Sequence, residues 1–284
     1  MKSADFVCFV SVLLFITGCG PQAPAPVQSE PKPTIAATSD VAAPPPVAAT
    51  TTACQLALGF EAWEPYQFTS IDNKPSGLDI ELVETIAAQM GCSINARQGT
   101  WTDLISALKE GKVDLLLGAS VTPARQEYAH FSDPYRQEQF VLFVRSADVA
   151  GYPQNTLAEF VGAGKKVGII SEYYYGAEVA ELFNADSSKN QFVEASLSEL
   201  NLARLLDEDI DGMLEDSFVG HAMLKRKGLD TQIGAHSISM GNTDVFVMFS
   251  KATVPAERVN AFNQALAAIK ADGRYERIIQ RYIR

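Results

Sequence analysis

A chain of 284 residues with 34 acidic and 23 basic side chains carries a formal net charge of −11. That sign argues against nucleic acid or an anionic membrane face as the partner. Hydrophobic residues make up 47 % of it, ample for a buried core, and the four cysteines show no Cys-x-x-Cys or His-Glu-x-x-His spacing that would hold a metal.

In chain order, Met1-Lys2 leads into an apolar run from Phe6 to Ile16 that ends Ile16-Thr17-Gly18-Cys19. A run this short cannot span a bilayer, which needs about 20 residues. The small residues before Cys19 are similar to a bacterial lipobox, in which that cysteine is lipidated and becomes the first mature residue. Residues 1–18 are then a lipoprotein signal peptide; an ordinary cleaved signal peptide or a short anchor is the alternative. Residues 19–53 are dominated by Pro, Ala and Thr, with Pro44-Pro45-Pro46 in the middle. Such a segment cannot bury enough apolar surface to fold and reads as a disordered tether. The expectation is an exported, periplasmic protein held at a membrane by lipid alone.

From Cys54 onward short apolar runs alternate with amphipathic helices. A strand over 54–60 is followed by a helix over 79–90, where Leu78, Leu82, Ile86 and Met90 form a stripe; then come strand 92–98, helix 101–109, strand 113–118 and helix 123–129. This β-α-β-α-β order implies a parallel sheet covered on both faces. Cys54 and Cys92 open the first two strands. If those strands are neighbours the cysteines sit at matching ends, where an oxidising compartment allows a disulfide; two small buried thiols are the alternative.

The stretch from Gly111 to Tyr135 carries the chemistry. The apolar run Val113–Leu117 ends at Gly118, and Ser120 is followed by Thr122-Pro123-Ala124-Arg125. Thr122 suits an N-cap and Pro123 the first helical position, so a helix starts there. Backbone N–H groups, a serine hydroxyl and the fork of Arg125 then meet at the carboxyl end of a strand. Together they form an anion pocket suited to a carboxylate.

A strand over 140–144 follows Ser132-Asp133-Pro134. A second α/β set comes next: strand 166–170, helix 175–184, strand 191–194, helix 198–207, strand 211–214 and helix 216–227. An apolar run over 245–249 and helices over 255–270 and 273–283 close the chain. Two tandem units predict two lobes, 54–137 plus 243–284 and 138–242, with crossing segments near Tyr135–Glu138 and Met240–Asp244 as the hinge. Ligands of such α/β folds bind outside the carboxyl ends of the strands, so the anion pocket faces the cleft.

Several segments taken together resemble a known family: Trp63-Glu64-Pro65-Tyr66, Gly77-Leu78-Asp79-Ile80-Glu81-Leu82, Trp101, Gly111-Lys112-Val113-Asp114, Gly118-Ala119-Ser120, Arg125, Phe131-Ser132-Asp133-Pro134-Tyr135 and Asp211-Gly212-Met213-Leu214-Glu215-Asp216. The chain is similar to the family 3 extracellular solute-binding proteins, the polar amino acid receptors of ABC importers. The resemblance implies the two-lobed type II periplasmic-binding-protein fold, each lobe a mostly parallel sheet flanked by helices. It also implies a monomer that closes on a small amino acid zwitterion and delivers it to an inner-membrane permease, with no cofactor.

Carried over by position, Arg125 resembles the α-carboxylate clamp, completed by Ser120 and the backbone at Gly118. Asp216 stands where the family places its α-ammonium acceptor, and Trp63 and Trp101 where two aromatics sandwich the ligand side chain. Many members carry Gly-Thr after the first strand of the second lobe; here Ser171-Glu172-Tyr173-Tyr174-Tyr175-Gly176 stands instead, placing Tyr173 in the wall. Phe60 replaces the aspartate of several basic-amino-acid receptors, which lowers the case for lysine or arginine, while Glu172 and Glu215 leave room for a cationic or polar side chain. Cyclohexadienyl dehydratases share the fold, so an enzyme with Glu172 or Glu215 as general acid is one alternative. A ligand-sensing lipoprotein is another.

Overall fold

Strand β1 (Cys54–Phe60) starts the folded part, buried from Leu56 and Leu58 through Phe60. The structure is a computed structural model that describes residues 54–282. The signal peptide, the lipidated Cys19 and the tether expected over residues 1–53 lie outside the described residues. A small hairpin, β2 (Phe68–Thr69) and β3 (Pro75–Ser76), leads into α1 (Leu78–Gln89), and β4 (Cys92–Gln98) then pairs in parallel with β1. Cys54 and Cys92 face each other in this register and form a disulfide, Cα–Cα 4.5 Å.

Helix α2 (Trp101–Lys109) is capped by the Thr100 hydroxyl, which accepts from the Asp103 N–H, and β5 (Leu115–Ala119) pairs with the other side of β1. Thr122 caps α3 (Pro123–Gln126), with Pro123 in the first turn as expected. That helix is one turn long, not two, because β6 (Ala129–Phe131) is drawn into the sheet by its partner at Phe249 and Met248. Strand β7 (Arg136–Glu138) is the first crossing and β8 (Phe140–Arg145) the first strand of the second lobe.

The second lobe continues with α4 (Leu157–Gly162), β9 (Val167–Ile170), α5 (Ala177–Asn184), β10 (Phe192–Ala195), α6 (Ser198–Leu206), β11 (Gly212–Asp216), α7 (Ser217–Lys227) and β12 (Ile233–Ser239). Strand β13 (Thr243–Ser250) returns to the first lobe, where α8 (Ala256–Ala271) and α9 (Arg274–Tyr282) pack on α1. The first sheet has the order β4-β1-β5-β13-β6 with β7 beside β13, and the second β10-β9-β11-β8-β12. The half wound by strand–helix–strand units is parallel. The other half is antiparallel, since β8 and β13 each enter from the opposite lobe.

The two crossings also pair with each other. Arg136, Gln137 and Glu138 lie opposite Val245, Asp244 and Thr243, so the lobes are joined by a two-stranded ribbon. Among the described residues no helix is long and apolar enough to cross a membrane.

Candidate ligand-binding site

The carboxyl ends of β1 and β5 form one wall of the cleft. At Gly118 the chain turns with φ +72°, and a Cβ there would stand 3.3 Å from both the Trp63 ring and Gln67 Nε2. Glycine is therefore required for backbone and space alike. The Gly118 N–H is already donated to the Tyr135 hydroxyl at 3.0 Å. Trp63 follows β1, Trp101 opens α2, and Arg125 projects from α3, held in place by the Thr122 cap.

The opposite wall comes from the segment after β9. Glu172 sits in the left-handed region at φ +66°, a conformation that costs on the order of 1 kcal/mol or more for a side-chain-bearing residue. In that conformation its carbonyl reaches the first lobe, accepting from Arg125 Nη2 at 2.6 Å and from the Trp101 indole at 3.2 Å. Tyr173 stands edge-on to both tryptophans, with ring centroids 6.2 Å from Trp63 and 5.9 Å from Trp101, and its hydroxyl donates to Glu61 Oε2 at 2.6 Å. It thus occupies the aromatic sandwich that the resemblance assigns to a ligand side chain.

Trp63, Trp101, Gly118, Ser120, Arg125 and Tyr173 line one cavity between the lobes. With its mouth the cavity encloses about 320 Å³ of empty space, the low end of the roughly 300–1,000 Å³ of small-molecule pockets. Between the lining side chains, Tyr173 among them, there is room for little more than a water molecule.

The charges in this cleft are unevenly matched. Arg125 is buried, and its partners are the carbonyls of Ser120 (3.0 Å) and Glu172, with no carboxylate within 4 Å among the described residues. Burial holds its proton affinity below the usual arginine value, the mark of a cation short of an anion. Arg136, by contrast, is fully paired: Asp79 accepts from its Nε at 2.8 Å and its Nη2 at 3.1 Å, and Tyr66 covers its face at 3.7 Å.

Two acids that the sequence did not mark out also line the cavity, Glu61 and Glu138. Burial pushes Glu61 up to about 7, against hydrogen bonds from the Tyr173 hydroxyl and the Trp101 N–H. Burial pushes Glu138 up to about 8, only partly offset by Arg136 at 3.6 Å. Phe60, at the position weighed for an aspartate, is buried in the core of its lobe. The acid arrives one residue later, on the opposite side of the extended chain.

Glu215 and Asp216 lie outside this cavity. Glu215 is fully buried and raised to about 7 by desolvation; it accepts from the Trp63 indole (3.0 Å), the Asp216 N–H (2.8 Å) and the Ser198 hydroxyl. It therefore ties the tryptophan of one lobe to the sheet of the other. The carboxylate of Asp216 caps α7, accepting from the Phe218 and Val219 N–H groups at 2.9 and 3.0 Å, and borders a shallower pocket beside the hinge. The Glu172 side chain enters none of these bonds; the residue contributes its carbonyl.

Comparisons with known proteins agree with this architecture. The chain is 26% identical over 224 residues to ABC transporter arginine-binding protein 1 of Escherichia coli (strain K12), covering 76% of this chain and 85% of that protein. It is 25% identical over 223 residues to a probable histidine-binding protein of Campylobacter jejuni, covering 78% and 81%. An ancestral arginine-binding protein solved with arginine superimposes with a TM-score of 0.68 at 22% identity, over 80% of this chain and 97% of that one. The model of the bacterial extracellular solute-binding proteins, family 3, matches residues 56–284, and the chain belongs to that family.

Proposed function

We propose that this protein is the receptor of an amino acid ABC importer and that its ligand is an α-amino acid with a cationic side chain. The observation that carries this is Arg125: a buried guanidinium paired only with main-chain carbonyls, in a cavity walled by two tryptophans, is suited to receive a carboxylate. The acid surplus around it supports a basic side chain. Glu61 is now answered by the Tyr173 hydroxyl. A ligand entering the sandwich displaces that ring and leaves Glu61 to receive the ligand's cation. Arginine- and histidine-binding relatives support the same class.

Binding is expected in calorimetry with L-arginine or L-histidine and the purified protein, with a rise in melting temperature. No heat and no thermal shift with either would remove the reading. We further propose that the protein is a receptor and not a dehydratase: the relatives it matches are named as binding proteins, and of the two acids weighed as general acid Glu215 is spent on three hydrogen bonds outside the cavity while Glu172 contributes its carbonyl. Incubation with prephenate should leave it unchanged, and sustained phenylpyruvate formation would reverse this view. Export and a lipid anchor at Cys19 complete the proposal, with a permease as partner and a monomer as the working form. A Cys19→Ser variant should leave the membrane fraction; one that stays there argues against the anchor.

A further inference from the structure

Two adjacent residues of the second lobe, Glu172 and Tyr173, make three contacts in the cleft that an amino acid ligand would make. The Glu172 carbonyl oxygen accepts from Arg125 Nη2 at 2.6 Å, on the guanidinium proposed to receive a carboxylate. The Tyr173 ring touches Trp63 and Trp101 edge-on, and its hydroxyl donates to Glu61 Oε2 at 2.6 Å, the acid proposed for the ligand's cation. Centroid separations of 6.2 and 5.9 Å are direct aromatic contact, so no side chain passes between this ring and either indole. The left-handed turn at Glu172, φ +66°, carries the carbonyl and the neighbouring ring across the gap together.

The ring also has a place to go. Arg125, Tyr173 and Tyr174 line the cleft cavity and are shared with a wider recess beside it, which encloses about 1250 Å³ of empty space with its mouth. Val179 and Phe183 of α5 line that recess, an apolar surface on which an aromatic ring can pack. Tyr173 itself is only half-buried.

We propose that Tyr173 is a built-in competitor of the ligand: its ring holds the place of the ligand's side chain, the Glu172 carbonyl holds the place of its carboxylate, and the ligand binds when the ring turns out into the recess. The proposal rests on the reading of the cleft as an amino acid site and adds the residue that sets its affinity. Apparent affinity is reduced by the fraction of molecules whose ring is out, so a population of about 1–10% weakens binding about 10- to 100-fold. The cost is the same for every ligand whose side chain enters the sandwich. It therefore lowers affinity without altering the choice between such ligands.

The test is calorimetry with L-arginine and L-histidine on the wild type, Tyr173→Ala and Tyr173→Phe, each also melted without ligand. Tyr173→Ala removes the competitor. It should bind about 10- to 100-fold more tightly, by the same factor for each ligand that the wild type binds. Its ligand-free melting temperature should fall, since the ring's contacts with both indoles are lost. Tyr173→Phe keeps the ring but loses the bond to Glu61, and should tighten binding by a smaller factor. Equal or weaker binding by a folded Tyr173→Ala overturns the proposal, because the ring then stays clear of the ligand or packs on it. Should Tyr173→Ala fail to fold, Tyr173→Phe decides, and affinity no better than wild type overturns the proposal. No binding by any of the three proteins overturns the amino acid reading and the competitor together.

Discussion

The guanidinium of Arg125 lies 5.4 Å from the Trp101 ring centre and donates only to main-chain carbonyls. Replacing it by alanine removes the one cation in the cavity that has no carboxylate partner. Arg125→Ala should weaken L-arginine binding by about 1.5–3 kcal/mol, read by calorimetry, while melting temperature changes little. Equal affinity in variant and wild type would take Arg125 out of the site. Three buried acids, Glu61 and Glu138 in the cavity and Glu215 beside it, make a second expectation. Glu61 and Glu215 are raised to about 7 and Glu138 to about 8, all by burial, so the folded protein binds protons that the unfolded chain has released. Their contribution to stability is full below the unfolded carboxylate range and is lost as pH rises through 7–8. Carboxylates held low, such as Asp211, act only at the acid end. The ligand-free melting temperature should therefore fall between pH 5 and 8.5, and affinity for a cationic ligand should rise over the same interval. A flat or rising melting temperature would contradict the burial of these acids. Arg125 could be read from sequence because Thr122, Pro123 and Arg125 form a local signature at a strand end. Glu61 and Glu138 have no such signature. Glu61 is adjacent to the aromatic Phe60, and only the facing of an extended backbone decides which of the two enters the cleft.

At the scale of elements, the sequence yields what is periodic. The strands β1, β4 and β5 and the helices α1 and α2 follow from apolar spacing, and the pairing of Cys54 with Cys92 follows from β1 and β4 being neighbours in parallel register. The disulfide closes a loop with a sequence separation of 38 residues, worth about 4 kcal/mol in the loop-entropy account. It ties the amino ends of strands whose carboxyl ends form the cleft. Cys54→Ser/Cys92→Ser should thus lower the denaturation midpoint while leaving ligand affinity within a few-fold. A collapse of affinity with unchanged stability would contradict this separation. Elements held by tertiary partners were not legible. The edge strand β12 reads Ile-Gly-Ala-His-Ser-Ile-Ser and depends on antiparallel pairing with β8, and β6 cuts α3 short because β13 lies beside it. The six-residue α4, capped by Thr156, is too brief to show a period.

Across the whole molecule, tandem α/β units announce two lobes, and the cleft follows from where their strands end. The state of the cleft does not follow. Tyr173 reaching Glu61, Glu172 reaching Arg125 and Trp101, and Glu215 reaching Trp63 are all contacts across the gap. They depend on how the hinge ribbon sets one lobe against the other, which no local pattern encodes. The chain has only two tryptophans, Trp63 and Trp101, and each indole N–H is bonded to the second lobe. Separation of the jaws breaks both bonds at once and wets both rings. Tryptophan emission, excited at the red edge of the band where the nine tyrosines do not absorb, is thus an unlabelled gauge of jaw position. Titrating L-arginine while following the emission maximum should show a single saturable spectral change, and a spectrum indifferent to a ligand that calorimetry detects would mean that the jaws do not respond to their cargo.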